Sequence, residues 1–271
     1  MRDCVAGTGR LPLPKESRVT LIRPEPQFFD ADDGVRLAWY AMGEGRPVVL
    51  LHGFMSDAYT NWVRYGHAAA LVAAGRRVLM LDFRAHGASD KPHDPAAYPR
   101  DRLTRDAMGF VAHLELTDYD LGGYSLGSRT VSRMLATGAT PGRVIIGGMG
   151  LEGLTDTGRR AGHFRDILTK LGQHPQGSPA WMVEAFLKTT GGDPVALLGI
   201  IETFADTPLE TIRTFAIPIQ VLCGAEDSDN GSATALVDVL PDAVYAEVPG
   251  GHMSSVVKPE MGAAMAAFLA D

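Results

Sequence analysis

The first strand-like part of the chain contains three short apolar runs, at positions 27–30, 35–42 and 47–51. Asp33-Gly34 separates the first two runs and Gly43-Glu44-Gly45 separates the last two, a pattern typical of tight turns. These runs predict strands that begin a sheet in antiparallel order. The third run is almost wholly apolar, which favours a strand covered on both faces.

Beyond residue 53, the apolar residues alternate between helical and strand spacing. Helices are predicted at 59–74, 102–116 and 126–136, and strands at 77–82, 119–123 and 143–148. This alternation predicts an α/β fold with a mostly parallel central sheet and helices on both faces.

The alternation stops after residue 150. Residues 151–215 contain no strand-like run, and Gly and Pro divide the helices predicted at 160–171, 181–189 and 195–204. Strands at 217–223 and 243–248 then resume the sheet before a final helix at 259–269. We therefore predict three parts, listed by their bounds: a surface arm at 1–26, an α/β core at 27–150 and 216–271, and a small helical cap at 151–215, between strands 6 and 7.

Composition and charge argue against several partners. The 271 residues are 45% hydrophobic and 21% charged, as in folded globular proteins. A net charge of −7 without a basic run argues against nucleic acid. No apolar stretch approaches the roughly 18 residues that cross a bilayer, so we expect no membrane partner and a cytoplasmic location. Two distant cysteines, Cys4 and Cys223, argue against a disulfide framework.

The sequence does not support a metal site or a cofactor site. The histidines and cysteines lack the spacing of a metal site. Residues 148–153 fit the dinucleotide pattern GxGxxG, but the helical insert begins where that motif requires a helix and a second strand. We therefore expect neither a metal nor a cofactor.

One pentad, Gly123-Tyr124-Ser125-Leu126-Gly127, places a serine between two glycines at the end of a predicted strand. A strand that turns abruptly into a helix strains its corner residue and needs small neighbours on either side. A serine alcohol also requires a base and a group that orients the base. His252 and Asp227 each follow a predicted strand, and the carboxyl ends of parallel strands share one sheet edge.

With these residues, the chain resembles the α/β-hydrolase fold family from about residue 27 to the C-terminus. That family carries serine, acid and histidine in this chain order. Two further segments match. His52-Gly53-Phe54-Met55 resembles the family's oxyanion loop, and residues 82–89 resemble its turn Asp-x-Arg-x-His-Gly-x-Ser.

The resemblance implies acyl transfer through a covalent intermediate. Ser125 would attack a carbonyl, His252 would take its proton, and Asp227 would orient the imidazole. The backbone N–H groups of Phe54 and Leu126 would form the oxyanion hole. The expected activity is hydrolysis of a small or medium uncharged carboxylic ester, thioester or lactone.

Other functions share this fold. An acyltransferase, a cofactor-free perhydrolase or a carbon–carbon bond hydrolase could use the same triad, and a ligand-binding protein without catalysis is a further alternative. Family members that open epoxides or remove halogens carry a carboxylate at the elbow, so Ser125 argues against both reactions.

Several polar residues keep alternative interpretations. Three other carboxylates, Glu226, Asp229 and Glu152, could supply the triad acid in place of the one named above. His52 and His86 lie in glycine-containing turns, where hydrogen bonds that organise loops are favoured over catalysis.

The substrate pocket is predicted from apolar residues. Four residues are predicted to contact substrate: Phe54 and Tyr124, which flank the proposed centre, and Trp181 and Phe186 of the insert. Residues at helical spacing more often pack a helix onto its own domain. The arginine pair at 159–160 is expected on a solvated face.

Overall fold

The computed structural model describes residues 23–270, so the predicted arm lies mostly outside the described residues, as does Cys4. One eight-stranded sheet runs in the order β1-β2-β4-β3-β5-β6-β7-β8. The strands are Gln27–Asp30 (β1), Arg36–Met42 (β2), Arg46–Leu51 (β3), Arg76–Leu81 (β4), Asp120–Tyr124 (β5), Val144–Gly147 (β6), Ile219–Gly224 (β7) and Ala243–Val248 (β8). β1–β2 and β2–β4 pair antiparallel and the other five pairs are parallel. The predicted fold class, with its antiparallel start, is confirmed.

Helices cover both faces of this sheet. They are His67–Ala73 (α1), Arg102–His113 (α2), Leu126–Ala136 (α3), Leu151–Thr155 (α4), Gly158–Thr169 (α5), Pro179–Thr190 (α6), Pro194–Glu202 (α7), Leu209–Ile212 (α8), Ala233–Val239 (α9), His252–Ser255 (α10) and Pro259–Ala270 (α11). A π-helical turn spans Tyr59–Val63 and a 3-10 turn spans Pro95–Ala97. Among residues 23–270, no helix combines the length and apolar character needed to cross a membrane.

The burial of the central strand β3 explains why residues 48–51 are all apolar. Val49 and Leu51 belong to the core layer that includes α2 and α3, whereas Val48 and Leu50 belong to the opposite layer with α1 and α11. Successive side chains of a strand point to opposite faces, so a strand between two helical layers needs apolar residues at every position. All four side chains are fully buried.

One predicted helix differs from the structure, and four short helices, α4, α8, α9 and α10, were not predicted. The helix predicted at 59–74 is interrupted: Gly66 has φ 85° and separates the π-helical turn from α1. This left-handed conformation suits glycine and ends a helical run. Of the four helices that were not predicted, α9 has only seven residues, and the Ser232 hydroxyl caps it by accepting a hydrogen bond from the Ala235 N–H. A helix of two turns offers too few residues for a clear apolar period.

Residues 151–215 form five helices, α4 to α8, and contain no strand within this described range. In this helical segment α5 packs against α6 and α7. The segment leaves the sheet after β6 and returns at β7, as the interrupted strand pattern predicted. Its first helix therefore follows the carboxyl end of β6, on the sheet edge where Ser125 follows β5.

Candidate active site

Ser125 occupies a sharp corner between β5 and α3. Its backbone has φ 54° and ψ −107°, a strained conformation for a residue with a side chain. A Cβ at Gly127 would lie 1.9 Å from the Leu51 carbonyl oxygen, and one at Gly123 would lie 2.3 Å from the Gly127 carbonyl carbon. Both glycines are therefore required by close backbone approach, as the pentad predicted for this turn.

The structure brings Ser125, His252 and Asp227 together. His252 Nε2 lies 3.0 Å from Ser125 Oγ, and His252 Nδ1 lies 2.9 Å from Asp227 Oδ2. Donation by Nδ1–H to the carboxylate leaves Nε2 free to accept the serine proton. Each residue follows a parallel strand, β5, β8 and β7 respectively, so the sheet topology explains the convergence.

The three alternative carboxylates lie elsewhere. Asp229 pairs with Arg160 at 2.8 Å, and Glu152 accepts the Ser232 N–H at 2.8 Å. Glu226 is exposed. Among the candidate acids, the structure places Asp227 on the imidazole.

The two backbone donors predicted for the oxyanion hole are unused in this structure's described residues. The flanking N–H groups of the Phe54 loop are already used, since Gly53 donates to Asn61 Oδ1 and Met55 donates to His86 Nε2. Within residues 23–270, the Phe54 and Leu126 N–H groups have no acceptor, and Leu126 is the first residue of α3. These are the two donors that the sequence predicted for an oxyanion.

His52 and His86 organise the loops around the site. His52 Nδ1–H donates to the Gly53 carbonyl at 2.8 Å, and its Nε2 accepts the Phe83 N–H at 3.1 Å. His86 likewise donates from Nδ1 to the Arg84 carbonyl and accepts at Nε2. Burial lowers the pKa of both imidazoles, that of His86 well below its ordinary value of 6.5. Both rings are therefore neutral, and both connect backbone segments.

The turn after β4 is held by its charged residues. Buried Asp82 accepts the Ala58 N–H at 2.7 Å and the Ala88 N–H at 2.8 Å, and burial raises the pKa of this carboxyl. Arg84 is fully buried and makes two hydrogen bonds to Asp106, of 2.6 and 2.8 Å. These contacts fix the loop that carries His86 and, through it, the oxyanion loop.

Tyr124 lies beneath the histidine. Its side chain is 4% exposed, and its hydroxyl donates to the His252 carbonyl at 2.5 Å and lies 3.0 Å from Ser255 Oγ. Its ring lies 5.3 Å from the imidazole. The Tyr124 hydroxyl thus contacts the first and last residues of α10. The sequence analysis did not predict this contact, because it depends on where α10 lies relative to β5.

Aromatic side chains from the helical segment lie over the oxyanion loop. The Phe54 ring is 4.8 Å from the Phe164 ring and 6.2 Å from the Phe204 ring. Trp181 is 38% exposed, and Phe186 is half-buried against the core. Helical spacing predicted apolar faces for these residues but could not tell which face meets Phe54.

The sequence and the fold can now be compared with known proteins. A model of the α/β hydrolase fold family matches residues 46–144. An esterase from Exiguobacterium antarcticum superposes with a TM-score of 0.71 over 91% of this chain and 100% of its own, at 16% identity. The family match and the superposition assign the α/β-hydrolase fold to this chain.

Curated relatives match this chain over part of their length. The acetyltransferase component of an acetoin cleaving system from Pseudomonas putida is 38% identical over 123 residues, which are 45% of this chain and 31% of that protein. A non-heme haloperoxidase from Rhodococcus erythropolis is 33% identical over 125 residues, 44% of this chain and 43% of that protein. The chain thus spans less than half the length of either relative.

Proposed function

We propose that this protein is a serine hydrolase that cleaves a small or medium carboxylic ester, thioester or lactone. One observation carries the proposal: the hydrogen-bonded chain from Asp227 through His252 to Ser125, with distances of 2.9 and 3.0 Å. An alcohol is a weak nucleophile at neutral pH, and this arrangement gives it a base and an orienting carboxylate.

In the first half of the reaction, Ser125 Oγ bonds to the substrate's carbonyl carbon while its proton passes to His252 Nε2. The carbonyl oxygen becomes an oxyanion, which the N–H groups of Phe54 and Leu126 stabilise. When the intermediate collapses, the bond to the alcohol or thiol breaks and His252 returns the proton to that leaving group. An ester between Ser125 and the acyl group remains.

In the second half, water replaces the leaving group. His252 takes a proton from water as the water oxygen attacks the acyl carbon, and Ser125 recovers that proton when the acid departs. Asp227 stays ionised throughout and stabilises the imidazolium. Because Leu126 begins α3, the positive end of the helix also favours the oxyanion.

The acyl pocket is proposed to lie between the oxyanion loop and the helical segment, which we retain as a cap. Phe54, Phe164 and Phe204 supply an apolar wall there. Contacts of Trp181 and Phe186 with substrate stay predictions, as does the cytoplasmic location.

The test is a panel of chromogenic esters with graded acyl length, run on the wild type and on Ser125→Ala. We expect kcat of the variant to fall by about 10⁴-fold or more while the circular dichroism spectrum is unchanged. A serine-directed phosphonate should label Ser125 in the wild type. Exposed Ser228 lies in the loop between β7 and α9 that carries Asp227, called the acid loop below. Ser228→Ala is the matched control that keeps full activity.

Unchanged turnover in folded Ser125→Ala would refute the proposal. Tight ligand binding without turnover of any ester and without phosphonate labelling would favour a non-catalytic binding protein. Product analysis with competing alcohols, peroxide or diketones would reveal an acyltransferase, a perhydrolase or a carbon–carbon hydrolase.

A further inference from the structure

Two arginines lie where the helical segment meets the acid loop. Arg129 is on α3, one turn after Ser125, and its side chain is 7% exposed. Its guanidinium donates to the Gly153 carbonyl at 2.9 Å and to Asn230 Oδ1 at 3.1 Å. Within the described chain, no carboxylate lies within 4.0 Å of it. A buried cation with neutral partners attracts an anion.

Arg160 on α5 has an unused donor. Its Nη2 pairs with Asp229 at 2.8 Å, and its side chain is 18% exposed. Its Nε is buried and has no hydrogen-bond partner among residues 23–270. A buried donor without an acceptor is costly, because the group has lost its water and gained nothing in return. A ligand oxygen at this position would satisfy it.

One residue separates Arg160 from the oxyanion loop, and one residue separates it from the triad acid. Its guanidinium lies over the Phe164 ring at 4.8 Å, and that ring packs on Phe54 at the oxyanion loop. Its partner Asp229 donates a backbone N–H to Asp227 Oδ1 at 3.1 Å. Arg160 is therefore connected, through one residue in each case, to the oxyanion loop and to the triad acid.

The two guanidinium groups also act on each other. Burial, together with the charge of Arg160, lowers the pKa of Arg129 to about 10, so Arg129 remains a cation at neutral pH. Asp229 is the carboxylate within ion-pair distance of the pair in the part of the chain that the structure describes. Asp206 also acts on Arg129 through its charge, from beyond ion-pair distance, so the feature that an additional anion would satisfy is the unused Nε donor of Arg160.

We infer that the acyl group of the substrate carries a carboxylate, which Arg160 binds through Nε in the field of Arg129. The inference rests on the proposed hydrolase and names its substrate class, half-esters of dicarboxylic acids or their thioester and lactone equivalents. It replaces two expectations from the sequence, an uncharged acyl group and a solvated Arg160. Arg160 acts here as a specificity-determining residue, and the catalytic steps are unchanged.

The experiment compares two esters of nearly equal size, mono-4-nitrophenyl glutarate and 4-nitrophenyl valerate. The wild type should show a higher kcat/KM for the glutarate ester. Arg160→Gln should lower kcat/KM for that ester about tenfold to a hundredfold and change the valerate value less than about threefold. Arg159 is exposed on the same helix, so Arg159→Gln is the matched control and should alter neither value.

Two results would overturn the inference. A wild type that prefers valerate has no use for an anion site. Equal losses on both esters in Arg160→Gln would show that the Arg160–Asp229 pair only holds α5 on the acid loop.

A binding measurement separates this inference from the proposed function. In Ser125→Ala, monomethyl glutarate should raise the melting temperature more than methyl valerate does, and adding Arg160→Gln should abolish the difference. If neither ester is hydrolysed but this difference appears, the anion site stands and the hydrolase proposal fails. If esters are hydrolysed but the difference is absent, the hydrolase stands and the anion site fails.

Discussion

Removing the Tyr124 hydroxyl tests whether its hydrogen bond to the His252 carbonyl positions the imidazole. In Tyr124→Phe the ring still fills its space, but the His252 carbonyl and Ser255 Oγ lose a buried partner. Each such loss costs about 1–3 kcal/mol, and about 2–4 °C of melting temperature follows per kcal/mol in a chain of this size. We expect the melting temperature to fall by several degrees.

The same variant should lose activity because His252 moves. Displacing a catalytic group by about 1 Å costs up to about a hundredfold in rate, so we expect kcat to fall about tenfold to a hundredfold with little change in KM. Burial raises the pKa of Tyr124, so its hydroxyl stays a donor at any assay pH near neutrality. Initial rates with a chromogenic ester and thermal melts provide both values.

Tyr98→Phe is the matched control. Tyr98 is as buried as Tyr124, and its hydroxyl donates to the Pro92 carbonyl at 2.6 Å. Burial raises its pKa to about 12. This control should lose similar stability and keep kcat. If Tyr124→Phe loses stability but keeps kcat, as the control does, then the hydroxyl does not position His252.

Three further predictions concern other parts of the site. Asp227→Asn should lower kcat by about 10³–10⁴-fold, because the amide no longer holds the imidazole in the required tautomer; steady-state kinetics measure this. Gly127→Ala should prevent folding, since its Cβ would lie 1.9 Å from a backbone oxygen; the soluble yield and circular dichroism report it. At pH values between their lowered pKa and 6.5, His52 and His86 bind fewer protons in the folded chain than in the unfolded chain. The urea midpoint should therefore fall as the pH drops below about 6.5.

Each of these predictions has its own control. Asp229→Asn should keep the triad and lose far less kcat than Asp227→Asn, and equal losses would contradict the assignment of the acid. Gly162→Ala on α5 meets no atom within 4 Å and should fold normally. His86→Gln should reduce the pH dependence of the urea midpoint, and an unchanged slope would show that other groups cause it.

The sequence analysis predicted the sheet well because each central strand lies between two helical layers and is mostly apolar. The residues of the site were predictable for a related reason: a pentad with two obligatory glycines marks a corner, and polar residues shortly after β7 and β8 share its sheet edge. α9 was too short to show a period.

The surroundings of Arg160 could not be predicted from spacing. Whether its side chain meets water depends on the position of Asp229, which lies 69 residues further along the chain, and on the ring of Phe164. The support of His252 by Tyr124 is equally non-local, since the two residues are 128 positions apart. Periodicity describes one element at a time, and these contacts join several.

The stack of Phe54 with Phe164 and Phe204 couples the helical segment to the oxyanion donor. The N–H that stabilises charge and the ring that contacts α5 belong to the same residue, so a shift of α5 displaces that donor. Substitutions that shift α5 will therefore change turnover as well as affinity. A substitution that changes how the acyl group fits this protein should therefore be expected to change the turnover rate as well.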